Sequence, residues 1–405
     1  MRRGRILLTW LVLAVAAAPP DFRHQEATGA EPKPEPSAVV QGNTAFAVDL
    51  YHQLRKGKGN LIFSPINISA CLSMAYAGAR GQNAREMAQV LHLPTGEKQI
   101  HRKMGGLLQD FNNRKDVTLV VANALWTQKR YPFFGNALNE VKASYGAEVH
   151  KVDFTWARRA ARKAINDWAA EKTNGKITDS MPPGVLNSLT RLVLSSAIYF
   201  KGEWVTRFDK DGTMDAPFHV SSETDVTVPM MCTSGSKFRW IGTEEFDALE
   251  MPYKGRQLSM VVFLPREIDG LANLEKQLTP ETLASALGAL QPCEMTVYLP
   301  RFNIWTGIPL QTPLRAMGMK LAFVNRLGNF PGFTVEPLNI DVMHSAFIEV
   351  DEKGTEAGAV THTISYGCSA SAPPVFRADH PFIFLIRDRT SGSILFLGRV
   401  VNPKG

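Results

Sequence analysis

The sequence contains few cysteines, and those it has are far apart. Four occur in 405 residues, and no two of them form a CxxC pair or a spacing typical of a zinc or redox site. We therefore expect no disulfide framework, so a hydrophobic core must hold the fold together. Hydrophobic residues make up 44% of the chain, enough to bury an ample core in one, two or three domains. The cysteines are Cys71, Cys232, Cys293 and Cys368.

Motifs of the common enzyme classes are also missing. GxSxG, HExxH, the P-loop and the dinucleotide-binding GxGxxG do not occur at a credible place in the sequence. The nine histidines are scattered, so neighbours in sequence do not build a metal site or a catalytic constellation. We therefore predict a protein that is not an enzyme and that needs no metal and no cofactor.

The N-terminal region has an apolar run that is too short for a membrane span. Three arginines, at positions 2, 3 and 5, precede apolar residues 6–18, which end in small side chains. This order is typical of a secretory signal peptide, and thirteen residues do not cross a bilayer as a stable helix. We predict a signal peptide at 1–18, a Pro-rich disordered spacer at 19–40 and one domain at 41–405. The protein is then secreted, to the extracellular space or a periplasm, with a retained anchor as the alternative.

Positive charge is in modest excess. The formal net charge is +7, and it falls to +4 when the three arginines of the predicted signal peptide are removed. Basic clusters remain at 55–58, 101–103 and 158–163. Solvated helix faces explain these clusters better than a ligand does, so we expect no nucleic-acid partner and keep weak polyanion binding as the alternative.

Local patterns predict interleaved helices and strands. Residues 42–54 have a helical apolar stripe after an Asn-Thr cap, Ser64 and Pro65 open a long apolar helix, and residues 156–173 form a basic amphipathic helix. No internal repeat separates these elements, which favours a single domain. Strands are predicted at 118–126, 192–204, 227–231, 249–253, 258–265, 294–302 and 340–351.

A long segment near the C-terminus lacks charge altogether. Between Ala357 and Phe376 there is no Lys, Arg, Asp or Glu, and the first proline is Pro373. A strand-like run at 347–351 precedes the segment, and an apolar run at 381–386 comes after it. Surface loops of this length usually carry charge or stiffening prolines. The composition therefore favours a loop that is also able to become a strand.

The segment alternates between two kinds of residue. In a strand the two alternating sets face opposite sides, so the small set fits between existing strands over a filled core while the other set faces outward. An ordinary Ser/Thr/Ala-rich linker is the alternative that spacing leaves open. The small, uncharged set is Thr355, Ala357, Ala359, Thr361, Thr363 and Ser365. The mixed set is Glu356, Gly358, Val360, His362, Ile364 and Tyr366.

Several stretches resemble one family of proteins. EKGTEAGA (352–359) resembles the proximal hinge of the serpins, the suicide inhibitors of serine proteases, and FRADHPFIFLI (376–386) resembles the end of their reactive loop. LFLGRVVNP (395–403) is similar to their C-terminal strand, and INDWAAEKTNGKI (165–177) to a helix that lies across the main sheet. The similarity covers nearly everything after about residue 40. It implies an α+β serpin fold with three β-sheets, about eight or nine helices and an exposed reactive-centre loop.

The resemblance implies an inhibitory mechanism and a cleavage site. A serine protease cleaves the loop, the acyl-enzyme is trapped in a covalent complex, and the loop inserts into the central sheet. Counted from the hinge, the reactive bond joins Cys368 to Ser369; counted back from the loop's end it moves to Ala370, and Tyr366 or Gly367 are further alternatives. These residues favour an elastase-, chymotrypsin- or subtilisin-like target. We expect a monomer; a non-inhibitory serpin, a carrier or a plain substrate, is the alternative function.

The resemblance also assigns two sets of supporting residues. Ser64, Ser196 and His344 form a shutter under the central strands, where a hydrogen-bonded core cluster is strongly favoured over a hydrolytic triad. Ser196 stands where the family usually has Asn, so we expect its bond to His344 to be lost or bridged by water. The hinge residues are Gly354, Thr355, Glu356, Ala357, Gly358, Ala359, Val360 and Thr361.

Overall fold

The protein is described here by a computed structural model that covers residues 36–94, 99–325, 329–355 and 374–405. These residues belong to one compact unit, Pro36–Gly405. The helices are α1 (Ala38–Leu54), α2 (Pro65–Tyr76), α3 (Gly81–Val90), α4 (Ile100–Asn112), α5 (Gly135–Tyr145), α6 (Arg158–Lys172), α7 (Leu271–Gln277), α8 (Pro280–Ala289) and α9 (Gln311–Met317), with a 3₁₀ turn at Leu321–Phe323 after the last of them.

Strands are interleaved with these helices along the chain. They are β1 (Leu61–Phe63), β2 (Thr118–Gln128), β3 (Glu148–Val152), β4 (Leu192–Glu203), β5 (Asp209–Ser221), β6 (Thr224–Gly242), β7 (Phe246–Pro252), β8 (Leu258–Pro265), β9 (Gln291–Pro300), β10 (Phe302–Pro309), β11 (Ile340–Val350), β12 (Gly354–Thr355), β13 (Val375–Arg377), β14 (Phe382–Asp388) and β15 (Ile394–Val400).

The central sheet has the strand order β10-β11-β4-β2-β3, with the short β12 added to the end of β4. β2 runs antiparallel to β4, whereas β11 runs parallel to it, with Ile340 opposite Leu192 and Phe347 opposite Tyr199. The middle of this sheet is therefore a parallel junction between two strands that are distant in sequence.

The second hydrogen-bonded network has the order β1-β15-β14-β8-β7-β6-β9-β13, with β5 on the free side of β6. A register shift between Gly235 and Phe238 divides β6: its first part pairs with β5, and its last residues pair with β7. The network is thus two sheets that share β6 and β9. Together with the central sheet they give the three-sheet α+β architecture expected from the sequence.

Helices cover both faces of the central sheet. α2 lies in the main core, where every residue except Tyr76 is buried, and the Ser64 hydroxyl caps it by accepting from the Asn67 amide at 3.3 Å. Cys71 is fully buried in this helix, and burial raises the pKa of its thiol. On the opposite face α6 buries Ile165 and Trp168 in a second cluster with Ala197 of β4.

Several element boundaries differ from the sequence predictions. α1 begins at Ala38, inside the predicted spacer, because the cap is Ser37 rather than an Asn-Thr pair: its hydroxyl accepts from the Val40 amide at 3.4 Å. The single strand predicted at 294–302 is two strands, β9 and β10, separated at Arg301. α5, β3 and β5 were not predicted, since their sequences have weak or mixed periodicity. Among the described residues, no helix is both long and apolar enough to cross a bilayer.

Candidate functional site

The parallel junction of β11 and β4 is open at one end. Backbone pairing runs from Ile340 and Leu192 to Phe347 and Tyr199 and then stops, although β11 continues to Val350 and β4 to Glu203. We call the paired stretch the seam. Because the two strands lose their pairing in the same direction, the seam ends next to the turn from which the predicted hinge departs.

That turn starts a new strand beside β4. Asp351 and Gly354 exchange backbone hydrogen bonds, at 3.0 and 3.3 Å, so the chain reverses direction immediately after β11. Gly354 has φ = +146°, and a Cβ at this position would lie 2.0 Å from the Gly202 carbonyl oxygen, so only glycine fits. Thr355 then pairs antiparallel with Gly202. The first two hinge residues, Gly354 and Thr355, are therefore aligned with β4.

A polar anchor fixes the turn. The indole Nε1 of Trp204 donates to the Asp351 carbonyl oxygen at 3.0 Å, and the Trp204 amide donates to the Lys353 carbonyl oxygen at 2.9 Å. The buried Glu352 carboxylate accepts from Arg301 Nε at 2.7 Å and from the Thr213 hydroxyl at 2.6 Å. Burial raises the pKa of Glu352, but the bonds from Arg301 and Thr213 outweigh it and hold that pKa below its usual value.

The three predicted shutter residues meet beneath the seam. The Ser64 backbone amide donates to His344 Nε2 at 2.9 Å, so Nε2 must be the unprotonated nitrogen. His344 Nδ1 then carries the proton and donates to the Ser196 hydroxyl oxygen at 2.6 Å. All three residues are buried, and burial lowers the pKa of His344 to about 3, which keeps the ring neutral. Their contact thus ties β4 and β11 to the start of α2.

The expectation that the bond between Ser196 and His344 is lost or bridged by water is wrong. His344 lies directly opposite Ser196 in the parallel register of β11 and β4, so a serine side chain spans the gap without water. The surrounding polar residues were not singled out from the sequence. Asn67 Nδ2 donates to the Ala197 carbonyl oxygen at 3.1 Å, and Asn123 lies opposite Ser196 on β2.

The cluster does not have the geometry of a hydrolytic triad. The Ser64 hydroxyl caps α2, and His344 contacts the Ser64 amide rather than its hydroxyl. The hydroxyl that His344 does contact, Ser196 Oγ, accepts a hydrogen bond from the ring instead of donating one to it. A nucleophile needs the opposite arrangement, with the ring as base. These side chains hold strands together, and they offer no attacking group.

The sequence matches a known family over most of its length. A serpin (serine protease inhibitor) family model matches residues 41–403. The chain belongs to the serpin family. Leukocyte elastase inhibitor of Sus scrofa is 40% identical over 89% of this chain and 98% of its own length. Serpin B3 of Homo sapiens is 38% identical over 91% of this chain and 100% of its own. An uncharacterized serpin-like protein of Thermococcus kodakarensis is 38% identical over 90% and 86%.

Solved structures confirm the serpin fold. Uncleaved ovalbumin superposes with a TM-score of 0.83 at 30% identity, covering 91% of this serpin and 100% of that chain. Human thyroxine-binding globulin in complex with thyroxine gives 0.81 at 30% identity, with 90% and 98% covered. Serpin48 of the insect Tenebrio molitor also gives 0.81 at 30% identity, with 92% and 100% covered.

The reactive loop itself lies outside the described residues. This applies to the predicted bond between Cys368 and Ser369, to the alternatives Tyr366, Gly367 and Ala370, and to hinge residues 356–361. Both ends of the loop are described. It departs from Thr355 beside β4, and it returns at Pro374, whose carbonyl oxygen accepts from the Thr296 amide of β9 at 3.0 Å.

Proposed function

We propose that this serpin inhibits serine proteases as a suicide substrate. The observation that carries the proposal is the antiparallel pairing of Gly354 and Thr355 with the end of β4, next to a seam that is already open at that end. A strand that continues in this direction enters between β4 and β11. The hinge turn therefore supplies a starting register for insertion, and the seam is the site that receives the strand.

Continuing this register fits the alternation of the loop. Thr355 lies opposite Gly202, so residue-for-residue continuation puts Ala357 opposite Phe200 and Thr361 opposite Ser196. Phe200 is buried in the main core and Ser196 in the shutter, so the small set of the loop meets the filled side of the sheet. Directly opposed residues share a face, which explains why this set must be small and uncharged.

In this register the other set, which is expected to face outward, lies on the side of the sheet that α6 covers. Val360 of this set falls opposite Ala197 and Ile364 opposite Val193, and both β4 residues are buried beneath α6. α6 must therefore move for the loop to enter, and it must pack again over a wider sheet. Apolar residues at 360 and 364 suit that covered surface.

The same register is compatible with the reactive bond counted from the hinge. Cys368 falls opposite Leu189, just beyond the start of β4, so a protease acylated at Cys368 ends at the base of the sheet. The protease serine oxygen bonds the Cys368 carbonyl carbon, and the bond to the Ser369 nitrogen breaks with that amine leaving protonated. Thirteen residues at about 3.3 Å each then carry the enzyme about 40 Å from the hinge.

Insertion replaces one pairing between neighbouring strands of the central sheet with two. The parallel pairing of the seam is lost, and the new strand pairs antiparallel with β4 and β11. Roughly ten additional ladder hydrogen bonds at about 1 kcal/mol each, with burial of the small side chains, favour the inserted state. The native protein is thus held short of its most stable arrangement by the seam, the shutter and the anchor at Glu352.

Elastase-type enzymes are the first targets to test. The loop has no basic residue near the proposed bond, Cys368 suits a small apolar pocket, and several relatives are named as inhibitors of leukocyte elastase. The other candidate targets are chymotrypsin-like enzymes, which would cleave after Tyr366, and subtilisin-like enzymes. The proposal includes secretion after removal of residues 1–18 and a monomeric state, and it keeps weak polyanion binding at the basic helix faces as the alternative to solvated faces.

A carrier function is the second candidate, and a cavity favours it. A cavity of about 290 Å³ lies between α7, α8 and strands β7 and β8, with a mainly apolar lining that includes Phe246, Phe263 and Leu283. One structural relative, thyroxine-binding globulin, holds a small ligand. A carrier needs no loop insertion, so the two functions predict different fates for the cleaved loop.

The test is incubation with a panel of elastase-, chymotrypsin- and subtilisin-type proteases. We expect a complex that survives detergent. We also expect a released C-terminal fragment whose measured mass shows that its first residue is Ser369. A fragment that begins at Gly367, Ala370 or Ser371 would move the reactive bond without changing the mechanism. Complete cleavage with no stable complex for any enzyme of the panel would rule out inhibition and favour the carrier or plain-substrate alternative.

A further inference from the structure

A basic and aromatic surface lies where β2 ends and α6 begins. The Lys129 amide donates to the Val152 carbonyl oxygen at 2.7 Å, which brings the turn after β2 next to the chain that leads into α6. Residues of these two segments therefore form one surface, which we call the base patch. It consists of Lys129, Arg130, Trp156, Arg158 and Arg159, all of them exposed.

Trp156 is the most exposed large apolar side chain among the described residues, at 89%. Its loop is well fixed: the amides of Thr155 and Trp156 both donate to Asp153 Oδ1 at 3.0 Å, and Phe154 is fully buried in the cluster beneath α6. An indole ring is usually buried for most of its surface. A fixed loop thus holds this ring out of the core, where a partner can bind it.

The cations of the base patch form no ion pair with a carboxylate in the described part of the chain. The ion pairs of α6 begin one turn later, where Arg162 meets Asp179 at 3.4 Å and Lys163 meets Asp167 at 2.6 Å. The first turn of α6 contains no acidic residue. The connecting loop contributes one carboxylate, Asp153, so four cations and one carboxylate leave the surface with a net charge of +3.

These properties fit the surface of an anionic phospholipid membrane. Arginine binds phosphate groups through two parallel hydrogen bonds, and each basic residue near an anionic membrane adds attraction. Tryptophan is enriched at the level of the headgroups, where its ring lies between water and the acyl chains. A soluble polyanion would pair with the cations but would leave the Trp156 ring in water. The exposed indole therefore favours a membrane over a soluble polyanion.

The base patch and the hinge lie at opposite ends of the central sheet. Thr127, near the end of β2, is opposite Leu192, the first residue of β4, whereas Gly354 of the hinge pairs with Glu203, the last residue of β4. The twelve residues of β4 separate these two ends by about 36 Å. A molecule that is held by the base patch therefore directs its reactive loop away from the membrane.

We propose that the base patch binds the surface of membranes that contain anionic phospholipids, with the Trp156 ring at the level of the headgroups and the four cations on lipid phosphates. This site goes beyond the inhibitory function and does not depend on it. Binding there concentrates the serpin at a membrane while the reactive loop stays in the aqueous phase, where a protease reaches it.

The test is sedimentation of the mature protein, without residues 1–18, together with phospholipid vesicles. We expect binding to vesicles that contain about 30% phosphatidylserine, and none to pure phosphatidylcholine. The variants Arg158→Gln/Arg159→Gln and Trp156→Ser should each weaken binding at least about tenfold. The effect of the arginine exchange should shrink at high salt, whereas the effect of the tryptophan exchange should persist, because salt screens charges and does not weaken apolar burial.

The controls change the same chemistry elsewhere on the molecule. Lys56→Gln/Lys58→Gln removes two positive charges from another exposed basic cluster, and Met214→Ser removes an apolar side chain that is 69% exposed on β5. Both controls should bind within about twofold of the parent, since charges far from the membrane are screened.

Two sets of results would overturn the membrane site. One is a parent protein that does not bind phosphatidylserine vesicles, or patch variants that bind as well as the controls. The other is a loss confined to the arginine variant, with Trp156→Ser equal to the parent and heparin displacing the protein from the vesicles. That result would assign the base patch to a soluble polyanion.

A further measurement separates this site from the inhibitory function. Insertion as proposed above carries the protease to the start of β4, the end of the sheet at which the base patch lies. The covalent complex should therefore leave the vesicles, because the enzyme takes the space that the membrane needs. A complex that stays bound, while the patch variants still lose binding, would support the membrane site and contradict the end position proposed for the enzyme.

Discussion

Ser195 and Ser196 are neighbours on β4, but they face opposite sides of the central sheet. Ser196 Oγ accepts from His344 at 2.6 Å, whereas Ser195 Oγ is buried on the α6 side and has no partner within the described part of the chain. Removing Ser196 Oγ leaves the His344 Nδ1 proton without an acceptor. Removing Ser195 Oγ leaves no described donor or acceptor without a partner.

The two serines give a matched pair of alanine variants. We expect Ser196→Ala to lower the free energy of unfolding of the intact protein by about 1–3 kcal/mol, and Ser195→Ala to change it by less than about 0.5 kcal/mol. Urea denaturation monitored by tryptophan fluorescence measures both. Equal losses for the two variants would show that the contact between Ser196 and His344 does not hold the seam.

The protonation of His344 predicts a pH dependence. Its pKa is about 3 in the folded protein and about 6.5 in an unfolded chain, so below pH 6.5 the unfolded state binds a proton that the native state does not. Stability is therefore lost as the pH falls, by about 2 kcal/mol at pH 5 relative to pH 8. This loss should shrink in His344→Gln. If that variant does not fold, the NMR resonances of the His344 ring in the parent protein provide the test. They should remain those of a neutral imidazole at pH 5.

At the scale of elements, much of the architecture could be predicted from local patterns. The Ser64-Pro65 start of α2, α6 and the strands of the seam result from capping residues and apolar periodicity, which act within a few residues. The start of α1, the break between β9 and β10 and the contact between Ser196 and His344 could not be predicted. The break and the contact depend on a register or a partner supplied by a distant segment, such as Arg301 meeting Glu352, and the start of α1 depends on which of several capping residues the packed helix uses.

The side of β4 along which the hinge begins could also not be predicted from the sequence alone. The alternation from Thr355 to Ser365 predicts a strand, but only the pairing of Thr355 with Gly202 indicates the side of β4 and the register proposed for it. The covering of the opposite side by α6 likewise required the packing of Trp168 and Ile165.

The register predicts the effect of exchanging two adjacent loop residues. In the variant Glu356→Ala/Ala357→Glu the composition and net charge are unchanged, but a carboxylate moves to the position that the proposed register places opposite buried Phe200. Burying this charge without a partner slows insertion, so the protease should deacylate before it is trapped. We expect the number of serpin molecules consumed per inhibited protease to rise at least about tenfold.

The single variant Glu356→Ala is the control for this exchange. It removes the same carboxylate from position 356 without burying one, so it should retain a ratio near that of the parent. Titration of active elastase measures the ratio for all three proteins. An exchanged variant that inhibits as efficiently as the parent would mean that residue 357 does not face the core after insertion.

At the scale of the whole molecule, the proposed mechanism draws on free energy stored in the native fold. The seam, the shutter around His344 and the anchor at Glu352 hold β4 and β11 together, while the strand that would complete the sheet is not yet part of it. Cleaving the loop frees that strand from its C-terminal end at Pro374. Its insertion then requires the seam to part and α6 to move.

The most direct measurement is therefore the thermal unfolding of the intact protein and of the same protein cut once at the reactive bond. Insertion adds a strand to the middle of the central sheet, so the cut form should unfold at least about 20 °C higher, since 1 kcal/mol shifts the midpoint of a large domain by roughly 2 °C. The tryptophan fluorescence and the far-ultraviolet circular dichroism of both forms should confirm that each is folded before heating. A cut form that melts at the temperature of the intact one would contradict the account, because it would show that cleavage does not let the loop add a stabilising strand to the central sheet.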